Sequence, residues 1–219
     1  MKILSKGLIV LIASGAWLLP LTAMSQPPEG TLSKQALEQC NQGRLANDRD
    51  TRLAHFQQGQ RLGEQAVAAD EGNADAHFAL FCNLGELLRL DGESLTSVFG
   101  LRRMMRELDR TLEIVPTHLE ALSAKGTLLV KLPSLLGGDM KKGERLLQQV
   151  IDQAPKSVNA RLALARVRCE RGQHDEAATL ATVALVIAQK QNQMDFIPEA
   201  QAVLQQAKTS AAKGKDQRS

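Results

Sequence analysis

The residues with the widest chemical reach in this 219-residue chain are four histidines and three cysteines. His55, His77, His118 and His174 are dispersed. None has a second His or Cys at the spacing that places two metal ligands on one helix face. His77, on an otherwise apolar stretch, reads as a packing residue, and His118 and His174 fall at helix starts. Cys40, Cys82 and Cys169 match no Cys-x-x-Cys metal or redox motif. Cys82 and Cys169 fall in helix-forming stretches, where a buried, inert thiol is the ordinary state. Being odd in number, the cysteines allow at most one bridge within the chain in an oxidising compartment. "GGDMKKGER", from Gly137, has the residue types of a phosphate loop but not the G-x-x-x-x-G-K-[ST] spacing or the preceding buried strand, and reads as a helix N-cap turn. Carboxylates lie in helical charge patterns such as "RMMRELDRTLE", where Arg103 with Glu107 and Glu107 with Arg110 suit exposed pairs. These residues predict no catalytic group, no cofactor and no metal site. An envelope enzyme with a site assembled across repeats is the rival reading.

The elements that would position these residues are helical. Aromatic residues make up 3% of the chain, Tyr is absent, and Leu, Ala, Gln, Glu, Lys and Arg dominate. No alternating apolar runs bounded by turn residues occur. The first stretch has a basic start at Lys2 and Lys6, an apolar run from Gly7 to Leu19, and small residues at Ala23 and Ser25. That is the pattern of a signal peptide over 1–25, cleaved after Ser25, without a Cys to accept lipid. The run is short for a membrane span of roughly 20 residues, and an uncleaved anchor is the alternative. Export to the periplasm follows as the expectation. Loss of Lys2 and Lys6 lowers the formal charge of +3 by two, so a nearly neutral mature chain gives no reason to expect nucleic acid or a membrane surface as partner.

Three segments align: "NADAHFALFCNLGELL" from Asn73, "HLEALSAKGTLLV" from His118 and "SVNARLALARVRCERG" from Ser157. Each places a small residue early, at Ala76, Ala121 and Ala160, where two helices can approach closely. Each is followed by a second helical stretch, and Pro116 and Pro155 end pairs because proline cannot continue a helix. "LAHFQQGQRLGEQAVAAD" is the second helix of an earlier pair whose first helix lies in "KQALEQCNQGRLA". With Ala160, Ala165, Ala177 and Ala184 at the family's small-residue positions and Pro155 before them, the chain resembles the tetratricopeptide repeat (TPR) family, a helix-turn-helix unit of roughly 34 residues. The resemblance implies an all-α, right-handed solenoid of three to four TPR-like pairs with a C-terminal capping helix, "MDFIPEAQAVLQQAKTSA". The domain reading is a signal peptide over 1–25, a linker over 26–34, the repeat domain over 35–208 and a disordered basic tail over 209–219.

The pair starting at His118 is long, and its extra residues fall in "LPSLLGGD", Leu132 to Asp139. Pro133 ends the first helix, Gly137 and Gly138 permit the turn, and Asp139 suits the next N-cap. This stretch resembles the T component associated with TRAP transporters, exported helical repeat proteins with an LP-x-x-x-GGD-type insertion. Leu135 and Leu136 are expected to bury themselves, either at the mouth of a groove, with Gly137, Gly138 and Asp139 forming its rim loop, or in the seam between pairs.

On the TPR register, the inward positions of the first helices include Asp75, Phe78, Cys82 and Glu86. They continue with Glu120, Ser123, Thr127 and Val130, and then Asn159, Leu162, Arg166 and Cys169. Phe78, Cys82, Thr127, Val130, Leu162 and Arg166 are the candidate groove residues. Their apolar centre suits an apolar helix or a mostly apolar small molecule. Arg166 either meets one acidic group of that ligand or pairs with a neighbouring carboxylate. The expected function is a non-catalytic, exported protein-interaction module, a transport accessory whose partner is a periplasmic solute-binding protein. The mature protein is predicted to begin at Gln26. N-terminal sequencing of exported material checks this, and full-length protein in the membrane fraction would refute it.

Overall fold

The computed structural model describes residues 30–90, 92 and 97–216, so the predicted signal peptide lies outside the described residues. Nine helices are described: α1 (Thr31–Leu45), α2 (Arg49–Ala69), α3 (Ala74–Leu90), α4 (Ser97–Ile114), α5 (Leu119–Lys131), α6 (Met140–Gln153), α7 (Val158–Glu170), α8 (His174–Lys190) and α9 (Ile197–Asp216). No strand occurs among them. Side chains set several of the starts: Asp48 accepts from the Thr51 amide before α2, His118 from the Ala121 amide before α5, and Asp139 from the Lys142 amide before α6. Pro116 and Pro155 stand in the turns after α4 and α6, as expected of pair boundaries.

Antiparallel neighbours pack as α1/α2, α3/α4, α5/α6 and α7/α8, and α9 lies across α7 and α8. The first helices also touch across pairs, α1 with α3 and α5 with α7, whereas the second helices do not meet comparably, so the first helices line the inside of the array. This is an all-α repeat fold of four pairs and a cap. The helix α1 begins before the expected boundary at 35. The helix α9 runs through 209–216, so that part of the predicted disordered tail is helical.

Missing side chains permit the crossings. Ala76, Ala121, Ala160 and Ala165 are fully buried, as are Ala177, Ala181, Ala184 and Ala188 on α8. A Cβ on Gly143 would lie 2.8 Å from the carbonyl oxygen of Gly126, where α5 and α6 cross. In the first pairs a Cβ on Gly59 would lie 2.0 Å from Oδ1 of Asn83. Asn83 is fully buried and donates to the carbonyls of Ala36 and Ala79, both at 2.9 Å, which ties α3 to α1.

Cys40 on α1 and Cys82 on α3 form a disulfide with Cα atoms 6.2 Å apart, beside buried Phe56. Cys82 is therefore neither a free thiol nor a groove residue. Cys169 is free and buried, and burial, with Glu170 beside it, raises its thiol above the usual range. The expected Arg103–Glu107–Arg110 pattern is also replaced. Arg103 pairs with Glu64 of α2 at 2.6 Å, Arg110 with Glu113 at 3.1 Å, and Glu107 takes Nδ1 of His77 at 2.7 Å. His77 also faces the Glu71 carbonyl through Nε2 at 3.0 Å, so this packing residue carries a polar tie between α3, α4 and the turn before them.

The bridge closes a sequence separation of 42 residues. On chain-entropy grounds a Cys40→Ala/Cys82→Ala variant loses up to about 4 kcal/mol of unfolding free energy. Urea denaturation measures it, and identical midpoints for the native chain with and without reductant would refute the bridge.

Candidate functional site

Of the candidate groove residues, three belong to the core. Leu162 has 0% exposure and packs with Val158, Ala184, Ala188 and Ala200, Val130 faces α6 beside Gly143, and Cys82 is in the disulfide. The reason is angular: each of these side chains points toward a neighbouring helix, where its apolar surface is covered. Phe78, Thr127 and Arg166 remain partly exposed on the inner helices. Thr127 donates its hydroxyl to the Ser123 carbonyl at 2.8 Å, within its own helix. Arg166 pairs with Glu199 of the capping helix at 2.5 Å, which is the neighbouring-carboxylate alternative.

Phe78 is part of a small aromatic cluster. Its ring centroid lies 5.8 Å from that of Phe81 and 4.8 Å from that of His118, across the junction between α3 and α5. Nδ1 of His118 accepts from the Ala121 amide, which leaves Nε2 to face Asp75 at 3.5 Å. Asp75 and Glu120 are exposed in the first turns of α3 and α5, so acidic groups gather at that end of the inner face.

The opposite end is cationic. The stripe through Asp75, Phe78, Cys82 and Glu86 continues one turn to Arg89, and the stripe through Glu120 and Thr127 continues to Lys131. Each cation closes the last turn of its helix, which the helix dipole favours. Glu86, almost fully buried, accepts from Nε of Arg44 at 2.7 Å and faces Arg89 at 3.4 Å. Lys131 has no acidic partner within ion-pair distance among the described residues. Its side chain is open to water, yet surrounding protein lowers its ammonium below the usual lysine range. Arg166 and Arg89 add to that effect, and Glu199 opposes it. Sequence reasoning stopped one turn short of Arg89 and Lys131, and extending the three-and-four spacing would have found both.

The rim loop does not bury its leucines. Leu135 is 96% exposed and Leu136 44% exposed, on a 3-10 turn over Ser134–Leu136, so neither buries in a seam. The turn is closed by amides of Leu136 and Gly138 donating to the Pro133 carbonyl, and by Asp139 donating to the Leu129 carbonyl at 2.9 Å. Gly137 has φ 89°, which favours glycine, and a Cβ on Gly138 would strike the Leu132 carbonyl. The two glycines and the Asp139 cap therefore set the turn as expected, with the leucines pointing outward.

The family model for the tetratricopeptide repeat matches residues 135–207, which run from this turn through α6, α7 and α8 into α9. No curated protein matches the chain. Solved structures of MamA proteins are among those to which the chain is similar. MamA RS-1 ArsTM double mutant is 14% identical with a TM-score of 0.48, over 86% of this chain and 99% of that one. MamA AMB-1 is 20% identical with a TM-score of 0.47, over 81% and 88%. The comparisons give no support to the resemblance to the T component of TRAP transporters. The tetratricopeptide-repeat match is confined to residues 135–207, the C-terminal part of the chain.

Proposed function

We propose that the protein is a non-catalytic interaction module that holds a partner segment along the inner face of its helical array. The observation that carries this reading is the inner face itself: Phe78 stays partly exposed beside Phe81 and His118, and Lys131 is exposed with no acidic partner within ion-pair distance among the described residues. A partner segment that lays an apolar surface on Phe78 and an acidic group against Lys131 would supply what the inner face lacks. This revises the expected ligand, since Arg166 already has Glu199 and the acid-binding role passes to Lys131.

The chemically capable side chains support a non-catalytic reading because their surroundings employ them. His77 and His118 hold helices together, Cys40 and Cys82 are bridged, and Cys169 is buried with a raised pKa. Export to the periplasm is supported by the signal-peptide pattern over 1–25 and by a bridge suited to an oxidising compartment. A transport-accessory role, with a solute-binding protein as partner, rests on the "LPSLLGGD" resemblance alone.

Lys131→Met separates binding from stability. With its folded-state pKa lowered, Lys131 costs stability while charged in both folded and unfolded states. That cost is relieved as pH rises from the lowered folded value to the ordinary lysine value. The variant should be at least as stable as the native chain at neutral pH, and its alkaline rise in stability should be smaller, as followed by urea denaturation. Affinity for the partner recovered by cross-linking in exported extracts should fall at least about tenfold. Unchanged partners and affinity for both Lys131→Met and Lys131→Glu would refute the inner-face assignment.

A further inference from the structure

In an array of antiparallel pairs, the turn joining the two helices of each pair lies on one edge. The three most exposed large apolar side chains among the described residues stand there. Leu45 at the end of α1 is 62% exposed, Phe99 in the first turn of α4 is 79% exposed, and Leu135 in the α5–α6 turn is 96% exposed. A hydrogen bond from Arg49, which opens α2, to the carbonyl of Leu90, which closes α3, brings the start of α2 beside the end of α3.

The exposure of Leu135 is built in, because the hydrogen bonds that close the turn and the glycines that permit it hold the side chain outward. The charges next to it are equally purposeful. The first turn of α6 contains no acidic residue but carries Lys141 and Lys142, against the preference of a helix N-terminus for negative charge. Lys141, Lys142 and Arg145 are exposed and have no ion-pair partner among the described residues, as is Arg102, one turn beyond Phe99. The nearest carboxylates are occupied: Asp139 caps α6, and Glu144 receives Arg168 and Arg171. Apolar tips on successive turns, with helices roughly 10 Å apart, make a broad front rather than a plug for one pocket. A bilayer surface offers apolar depth and anionic headgroups together over such a front.

We propose that this edge docks on an anionic membrane surface, with Phe99, Leu135 and Leu136 entering the headgroup–acyl boundary and Lys141, Lys142 and Arg145 contacting phosphate groups. The near-neutral net charge does not bear on it, because the cations are local. Docking is peripheral, since no described helix is long and apolar enough to cross a membrane.

The test is vesicle co-sedimentation of the chain from Gln26, which contains every described element and lacks the apolar N-terminal run. It should bind phosphatidylglycerol–phosphatidylcholine vesicles and not phosphatidylcholine alone, with binding weakened by salt. Leu135→Ser/Leu136→Ser and Lys141→Glu/Lys142→Glu should each reduce binding at least about tenfold while the helical circular dichroism is unchanged. Native chain that ignores anionic vesicles, or a double-serine variant that binds them equally, overturns the proposal. Loss of a cross-linked protein partner by the double-serine variant, without vesicle binding by the native chain, assigns the edge to a protein instead.

Discussion

The array depends on backbones that approach closer than any side chain would allow. Gly59 receives the amide of Asn83, Gly43 lies under the ring of Phe56, and Gly126 and Gly143 face each other across α5 and α6. Alanines do the same for α7, α8 and α9. With so few aromatic residues, the chain builds its interior from proximity rather than bulk, and dispersion between near surfaces replaces deep side-chain interdigitation. A core of this kind tolerates few additions, because an extra methyl at such a crossing has no space to enter.

Polar ties then fix the order of the helices. Glu86 collects Arg44 and Arg89, binding α1 to α3 at a buried carboxylate, and Asn83 and the disulfide act on the same pair of helices. Toward the other end, Glu144 of α6 receives Arg168 and Arg171, while Arg168 also reaches Glu176 of α8 at 3.1 Å. Each tie joins neighbouring pairs or neighbouring helices, as expected of a fold whose energy is a sum over nearest neighbours.

The pairing of helices was legible because proline stops and small residues at helical spacing are local signals. Pro116, Pro155 and the Ala76, Ala121 and Ala160 positions each have one structural meaning. The inner face was less legible. A stripe drawn at three-and-four spacing gives a direction but not a width, and Cys82, Val130 and Leu162 stand far enough round their helices to be covered. Lys131 continues the stripe through Glu120 and Thr127 by one turn, but the like charges beside it, Arg89 and Arg166, stand on other helices, which one helix's periodicity does not convey. Leu135 departs from its expected burial for a local reason. Apolar character argues for burial on average, but a turn closed by its own backbone can hold a leucine in water.

The contact between α4 and α5 is slight beside those joining α1 and α2 to α3, and α3 barely meets α5. It is bridged by Lys125 with Asp109, His118 with Asp75, the tilted Phe78–His118 ring pair and Leu128 packed on the Leu80–Leu84–Met104 cluster. Compliances in a linear array add in series, so the narrowest junction takes up most of any imposed curvature. The first two pairs, sutured by the disulfide, form one stiff segment, and the last two pairs with their cap form another. Phe78 and Lys131 stand on opposite sides of that joint. The span between them crosses the least-contacted junction of the inner face, and a bound segment that grips both would act as a splint across it.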